Sequence, residues 1–105
     1  MKVRVWYYKK STSMKYMVEA KVPSKKDFLN DYVVLPVVFD AVKSNEKIYA
    51  ILNIDEGPMK NPFGQDWIHE HKLSHTSMSI GDIVQRGKTM FIVRPIGFKK
   101  LKWKL

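Results

Sequence analysis

The chain contains no cysteine, which excludes disulfides, thiolate catalysis and cysteine-ligated zinc and agrees with a reducing compartment. It also lacks a long hydrophobic run. The longest, Tyr32 to Phe39, is eight residues interrupted by Pro36, far short of the roughly 20 apolar residues of a membrane-spanning helix. Lys2 to Trp6 alternates polar and apolar side chains instead of forming a signal-peptide core. No membrane partner and a cytoplasmic location, the host cytoplasm if phage-encoded, are therefore expected. The five glycines stand singly, so there is no glycine-rich loop to cradle phosphate.

Acid is nearly missing from both ends. Residues 1–26 hold eight Lys or Arg against Glu19, and residues 76–105 hold seven against Asp82. The middle, 27–75, holds four Lys and eight acids, within a net charge of +9. If the terminal strands are neighbours in one sheet, the two basic ends form one surface, and such a field attracts polyanions largely without sequence preference. A DNA-mimic role is disfavoured, because mimics need dense negative charge. With 105 residues, 45% of them hydrophobic, residues 1–105 form one domain with a real core.

Residues 2–9 alternate, with Val3, Val5 and Tyr7 on one face and Lys2, Arg4, Trp6 and Tyr8 on the other, as in a strand. Met14 to Val22 alternates likewise, and the two predict an N-terminal β-hairpin over 1–22, although the connecting Lys10-Ser11-Thr12-Ser13 lacks hairpin-turn chemistry. Ser24 caps a helical turn through Leu29. Tyr32 to Val42 reads as the best buried strand, in which Pro36 requires an edge, a bulge or a break. Ser44 caps a short helix with Ile48, Ile51 and Leu52 on its apolar face, and Asn53 can end it in the left-handed conformation. Asp55 to Leu73, with Gly57-Pro58, Asn61-Pro62 and Phe63-Gly64, reads as a long irregular loop. A hairpin follows over 79–93, reversing at Arg86-Gly87, then a last segment from Pro95. The expected fold is α+β: a mostly antiparallel sheet of about five strands, one short helix packed on it and a long irregular loop.

Few residues offer chemistry. His69, His71 and His75 form the sole metal-like cluster, since alternate histidines on a strand point to one side, but no second ligand group stands at a known spacing. Ser74, Ser77 and Ser79 neighbour His75 without a nucleophile elbow. No active-site roles can be assigned, so the expectation is a non-enzyme with no cofactor and no metal. Basic residues interleaved with aromatics are the better pattern, because stacking and phosphate neutralisation together grip single strands. The expected contact set is Arg4, Trp6, Tyr8, Lys9, Lys10, Arg86, Lys88, Lys99 and Lys100. Ser79, Gly81 and Asp82 are read as structural: Gly81 supplies a special backbone angle and Asp82 caps the turn.

The helix Ile48 to Asn53, Trp67, the run Ser77-Met78-Ser79-Ile80-Gly81-Asp82-Ile83-Val84 and the closing Gly97-Phe98-Lys99-Lys100-Leu101 make up a pattern over Glu46 to Leu101. This pattern resembles a YodL-type domain found in small proteins of bacteriophages, plasmids and other mobile elements. The resemblance covers residues 46–101, about half the chain, leaves 1–22 as an extension, and implies a mobile-element accessory protein without a defined activity. The expected function is binding, with DNA, RNA or a nucleic-acid-handling host complex as partner. The alternatives are a protein-binding inhibitor of a host machine acting through the loop or an exposed strand, and a small-molecule or metal site at the three histidines. Monomer and homodimer both remain open.

Overall fold

The computed structural model describes residues 2–105. Five strands, β1 (Lys2–Tyr8), β2 (Tyr32–Asp40), β3 (Ile83–Arg86), β4 (Thr89–Val93) and β5 (Phe98–Lys104), form one antiparallel sheet in the order β2-β1-β3-β4-β5. Three helices, α1 (Lys25–Asp31), α2 (Asn45–Asn53) and α3 (Pro62–Glu70), accompany it. The α+β class and the strand number are as the patterning predicts; the single helix and the long loop are not.

The sheet is covered on both faces. Val3, Val5 and Tyr7 pack with Ile48 and Leu52 of α2, Met59, and Ile68 of α3. On the other face Tyr8, Ile83, Met90, Ile92 and Leu101 pack with Tyr16, Phe28 of α1, and Tyr32. Phe28 is the hub of this second core, with ring centroids 4.7 Å from Trp6, 5.3 Å from Tyr32 and 5.1 Å from Trp103. A seven-residue helix is too short to persist alone. The Ser24 cap, whose hydroxyl accepts from the Asp27 amide at 3.1 Å, and the burial of Phe28 hold α1 in place.

The N-terminal hairpin does not form. Lys10–Thr12 makes a 3-10 turn and Met14–Val18 a π-helical turn, and β1 pairs instead with β2 and β3. Within that turn only Tyr16 is buried, and its hydroxyl donates to the Asp31 carboxylate. One large residue per turn meets the core, so period-two alternation carried no strand information here. The Tyr32 segment is a strand, but an edge strand with a bulge rather than the best-buried one: pairing with β1 shifts between Arg4 and Trp6, opposite the exposed Pro36. Edge position and bulge together accommodate its missing amide proton.

The expected loop over Asp55 to Leu73 contains α3. Asn61 is its N-cap, accepting from the Gly64 amide at 2.7 Å, and Pro62 occupies the first turn. The Asn-Pro pair that suggested a break is thus a helix start, where proline's missing donor is harmless. Asn53 ends α2 without a left-handed residue, since its neighbour Ile54 is extended. The 83–93 hairpin forms, with Gly87 at φ 61 in its turn.

Gly64 is fixed by packing. A Cβ there would lie 2.4–2.6 Å from backbone atoms of Met59, a clash that the start of α3 and the turn before it can relieve only by moving apart. Gly64→Ala is expected to lower unfolding free energy by about 1–3 kcal/mol, the usual range for overpacking, measured as a lower urea midpoint. An unchanged midpoint would show that α3 can shift freely.

Candidate functional site

The Ser77–Asp82 turn is assembled by residues from across the chain. The Asn53 side chain accepts from the Met78 amide at 2.7 Å and donates to the Met78 carbonyl at 3.0 Å, acting as a one-residue strand partner. Tyr32 donates to the Gly81 carbonyl at 2.7 Å, and Tyr7 to the Thr76 carbonyl at 3.1 Å. Burial, reinforced by the charge of Asp82, pushes both phenols well above their ordinary pKa, so they remain donors. Gly81 has φ 97 and sits against Tyr16, whose carbonyl oxygen would be 2.6 Å from an added Cβ. Its role is structural on two counts, conformation and space.

Asp82 is fully buried. Its Oδ1 accepts from the Tyr8 amide at 3.3 Å, and its Oδ2 from the Ser79 amide at 2.8 Å and hydroxyl at 3.3 Å. His75 Nε2 lies 3.0 and 2.9 Å from the two oxygens. Burial raises the carboxyl pKa above the usual carboxylate range, and hydrogen bonds from His75, Ser79 and Tyr8 pull it part of the way back. The imidazole packs against Tyr7 and Tyr8, with centroids at 4.4 and 4.6 Å, and Nδ1 meets the Ser74 hydroxyl at 2.9 Å. Ser74, His75 and Asp82 therefore stand in line, but with ring nitrogens exchanged relative to a hydrolytic triad and with the serine adjacent to the histidine in sequence. The carboxylate's acceptors face donors from three segments. The arrangement locks β1 to the turn.

The predicted contact residues divide sharply. Tyr8 is buried with its hydroxyl 3.0 Å from Ser79 Oγ. Trp6 is half-buried against Phe28, donating to Gln85 Oε1 at 2.8 Å. Neither offers a free ring for a base, so the aromatic part of that face of β1 packs into the second core while Lys2 and Arg4 stay exposed. Arg86 donates to Asn45 Oδ1 at 2.6 Å and the Val42 carbonyl at 2.7 Å, pinning the start of α2 to β3, and its remaining terminal nitrogen is buried without a partner. Arg4, Lys10, Lys88, Lys99 and Lys100 are exposed, and Lys9 is half-buried. The terminal strands are not neighbours, because β3 and β4 lie between β1 and β5; three strand spacings are about 14 Å. Lys10 instead adjoins Lys72, whose carbonyl accepts its amide at 2.9 Å.

The histidines do not converge. His69 belongs to α3 and not to a strand, His71 stacks on Trp67 at 4.0 Å, and His75 is held by Asp82. Among the described residues no group of three His, Asp or Glu side chains could hold a metal. Sequence reasoning missed the His75–Asp82 pair; Lys102 and Lys104, outside the expected contact set, extend the exposed lysines of β5.

Asp82→Asn replaces an acceptor-only group with an amide whose NH2 must face existing donors. It should cost about 1–3 kcal/mol, the penalty for buried donors left without an acceptor, while Ser74→Ala, at an exposed position, should stay within about 0.5 kcal/mol. Urea denaturation of both variants decides it: near-equal stabilities would remove Asp82 from its structural role.

Residues 2–105 contain no helix long and apolar enough to cross a membrane. No protein-family model matches the chain, and no solved structure matches it. The chain is 41% identical over 56 residues to an uncharacterised protein, R785, of Acanthamoeba polyphaga mimivirus. The match takes in 53% of this chain, which spans about half (51%) of the length of that relative. The demonstrated similarity is thus to a viral protein and does not extend to the YodL-type domain that the turn motif resembles.

Proposed function

We propose that this protein is a small viral accessory protein that binds nucleic acid along the exposed edge of β5. The observation that carries this reading is the row Lys99, Lys100, Lys102 and Lys104, all exposed on a seven-residue edge strand. β5 itself carries no acid, so nothing on the strand neutralises the row. Other lysines join it. The Leu105 amide donates to the Lys88 carbonyl at 3.0 Å, bringing the β3–β4 turn alongside. Trp103 donates to the Pro23 carbonyl at 2.9 Å, docking on β5 the segment that carries Lys21, Lys25 and Lys26. Arrays of lysine neutralise phosphates and release counterions, which supplies sequence-independent affinity.

A different observation favours the protein-partner alternative. Met14, Met17 and Val18 are exposed on one π-helical turn, and exposed methionines suit adaptable apolar contacts. Such binding would respond little to salt, since it neutralises no charge.

Fluorescence anisotropy with labelled single strands across a salt series separates the two. Changing Lys99, Lys100, Lys102 and Lys104 together to Gln should flatten the log–log salt slope by about 2–3, at roughly 0.7 per phosphate contact on single strands. Lys9 and Lys10 changed to Gln should leave it unaltered. Loss of binding in the Lys9/Lys10 variant but not in the β5 variant would overturn the assignment to this edge.

A further inference from the structure

Where β5 begins, the surface opens into a cavity of about 350 Å³ between α2 and the β4–β5 connection. Small-ligand sites start at about 300 Å³. Its walls include Tyr49, Ile80 and Phe98, and its charged groups are Glu46 and Arg94. Among the described residues neither charged group has an ion-pair partner; Arg94 is held by one nitrogen, donating to the Ala20 carbonyl at 2.8 Å. Glu46, Ile80 and Phe98 come from segments far apart in sequence, and the fold brings them to the same end of the lysine row.

We propose that this cavity receives a guanine base of a single-stranded nucleic acid whose phosphates lie along the lysines of β5; the inference rests on the nucleic-acid reading above. Phe98 packs toward the α2 side of the sheet, whereas Leu101 and Trp103 pack toward the other. Strand alternation then puts Lys100, Lys102 and Lys104 on the Phe98 side. Alternate residues of an extended strand stand roughly 7 Å apart, at about 3.4 Å of rise per residue, comparable to the separation of successive phosphates in an extended nucleic-acid strand. β5 departs from this regularity between Lys100 and Lys104, where its pairing with β4 shifts. A base leaving that strand at Phe98 enters the cavity beside two aromatic side chains, and ring stacking of this kind is how single strands are held.

Glu46 selects the base. An ionised carboxylate accepts and never donates. Guanine presents two parallel donors, N1–H and N2–H, which match the two carboxylate oxygens in the fork geometry an arginine uses. Cytosine and adenine each present only an exocyclic amino group, and thymine or uracil a single ring N–H flanked by carbonyl oxygens that the carboxylate repels. The first turn of α2 suits the negative charge of Glu46, and at the head of a lysine row, where that carboxylate repels phosphate, it is placed to serve a donor-bearing ligand. Arg94 stands in the same cavity as a donor for the guanine O6 or its phosphate.

The test uses thymine (or uracil) 12-mers, deoxy and ribo, with a single central guanine, adenine or cytosine, together with guanosine monophosphate as competitor. The single-guanine strand should bind about tenfold more tightly than the all-thymine strand, the scale of one bidentate base contact. Glu46→Gln should reduce that ratio to near one without altering the salt slope, with thermal melting confirming that the variant is folded. Phe98→Ala should weaken every strand that seats a base, and guanosine monophosphate should displace the single-guanine strand in wild type only. Equal binding of all four strands, or a guanine preference that survives Glu46→Gln, overturns the proposal while leaving the nucleic-acid reading intact. If no strand binds at any salt, the nucleic-acid reading falls and this proposal, which rests on it, falls with it.

Discussion

Asp82 is the sole polar or charged side chain buried in the core of the described residues, and the geometry of the sheet's centre follows from meeting its needs. A carboxylate out of water is tolerated only where donors replace the solvent. Here they come from Tyr8 at the end of β1, Ser79 in the turn and His75 before it. These segments are remote in sequence: Tyr8 and Asp82 are 74 residues apart. Satisfying one charge therefore fixes where β1 ends and where β3 begins. With β3 placed, the short turn at Gly87 sets β4, and β4 sets β5. The position of the lysine edge is a distant consequence of a buried acid.

Covering both faces of the sheet decides where recognition can occur. Two aromatic residues of β1 are consumed by the second core: Trp6 and Tyr8 are held by Phe28, Gln85 and Ser79. Sheet faces are where small β proteins usually present stacking rings, so a protein that closes both must bind at an edge or a rim. The two edges differ in kind. β2 is mostly apolar, bulged and interrupted by Pro36, whereas β5 alternates lysine with Leu101 and Trp103. Bulge and proline discourage strand addition on one side, and lysine charge discourages it on the other. The same lysines thus keep chains from pairing edge to edge and offer themselves to an anion, and the two duties are compatible because a phosphate backbone needs no strand hydrogen bonds.

Local chemistry was legible in the sequence, and tertiary coverage was not. The Ser24 and Ser44 caps could be read because an N-cap acts within one turn, and the 83–93 hairpin because its turn and alternation agree. Alternation in residues 2–9 correctly separated two faces, but period two says nothing about whether a face is covered. That depended on Phe28 and Tyr16, which arrive from segments with no strand signal or a false one. Asn61-Pro62-Phe63-Gly64 was misread for a related reason: the residues that break a chain also start a helix, and only the packing of Gly64 on Met59 distinguishes the two. For the site, Ser79, Gly81 and Asp82 are identifiable as a turn, yet His75, which meets both carboxylate oxygens of Asp82, reads in the sequence only as part of a histidine cluster.

Charge placement gives the cavity its meaning. A uniformly basic surface attracts any polyanion and discriminates among none, since phosphates are alike along every strand. Discrimination requires a group that is unfavourable to phosphate and favourable to something a base alone presents. Glu46 is such a group. It stands in the first turn of α2, where negative charge suits the helix dipole, so its position costs the fold nothing while it lines the cavity where the lysine row begins. On the guanine proposal the lysines would supply attraction without choice, and the carboxylate choice at the expense of some attraction. A surface with the first property alone would be a nonspecific coat for nucleic acid; on the reading proposed above, the two together would read one base within a strand.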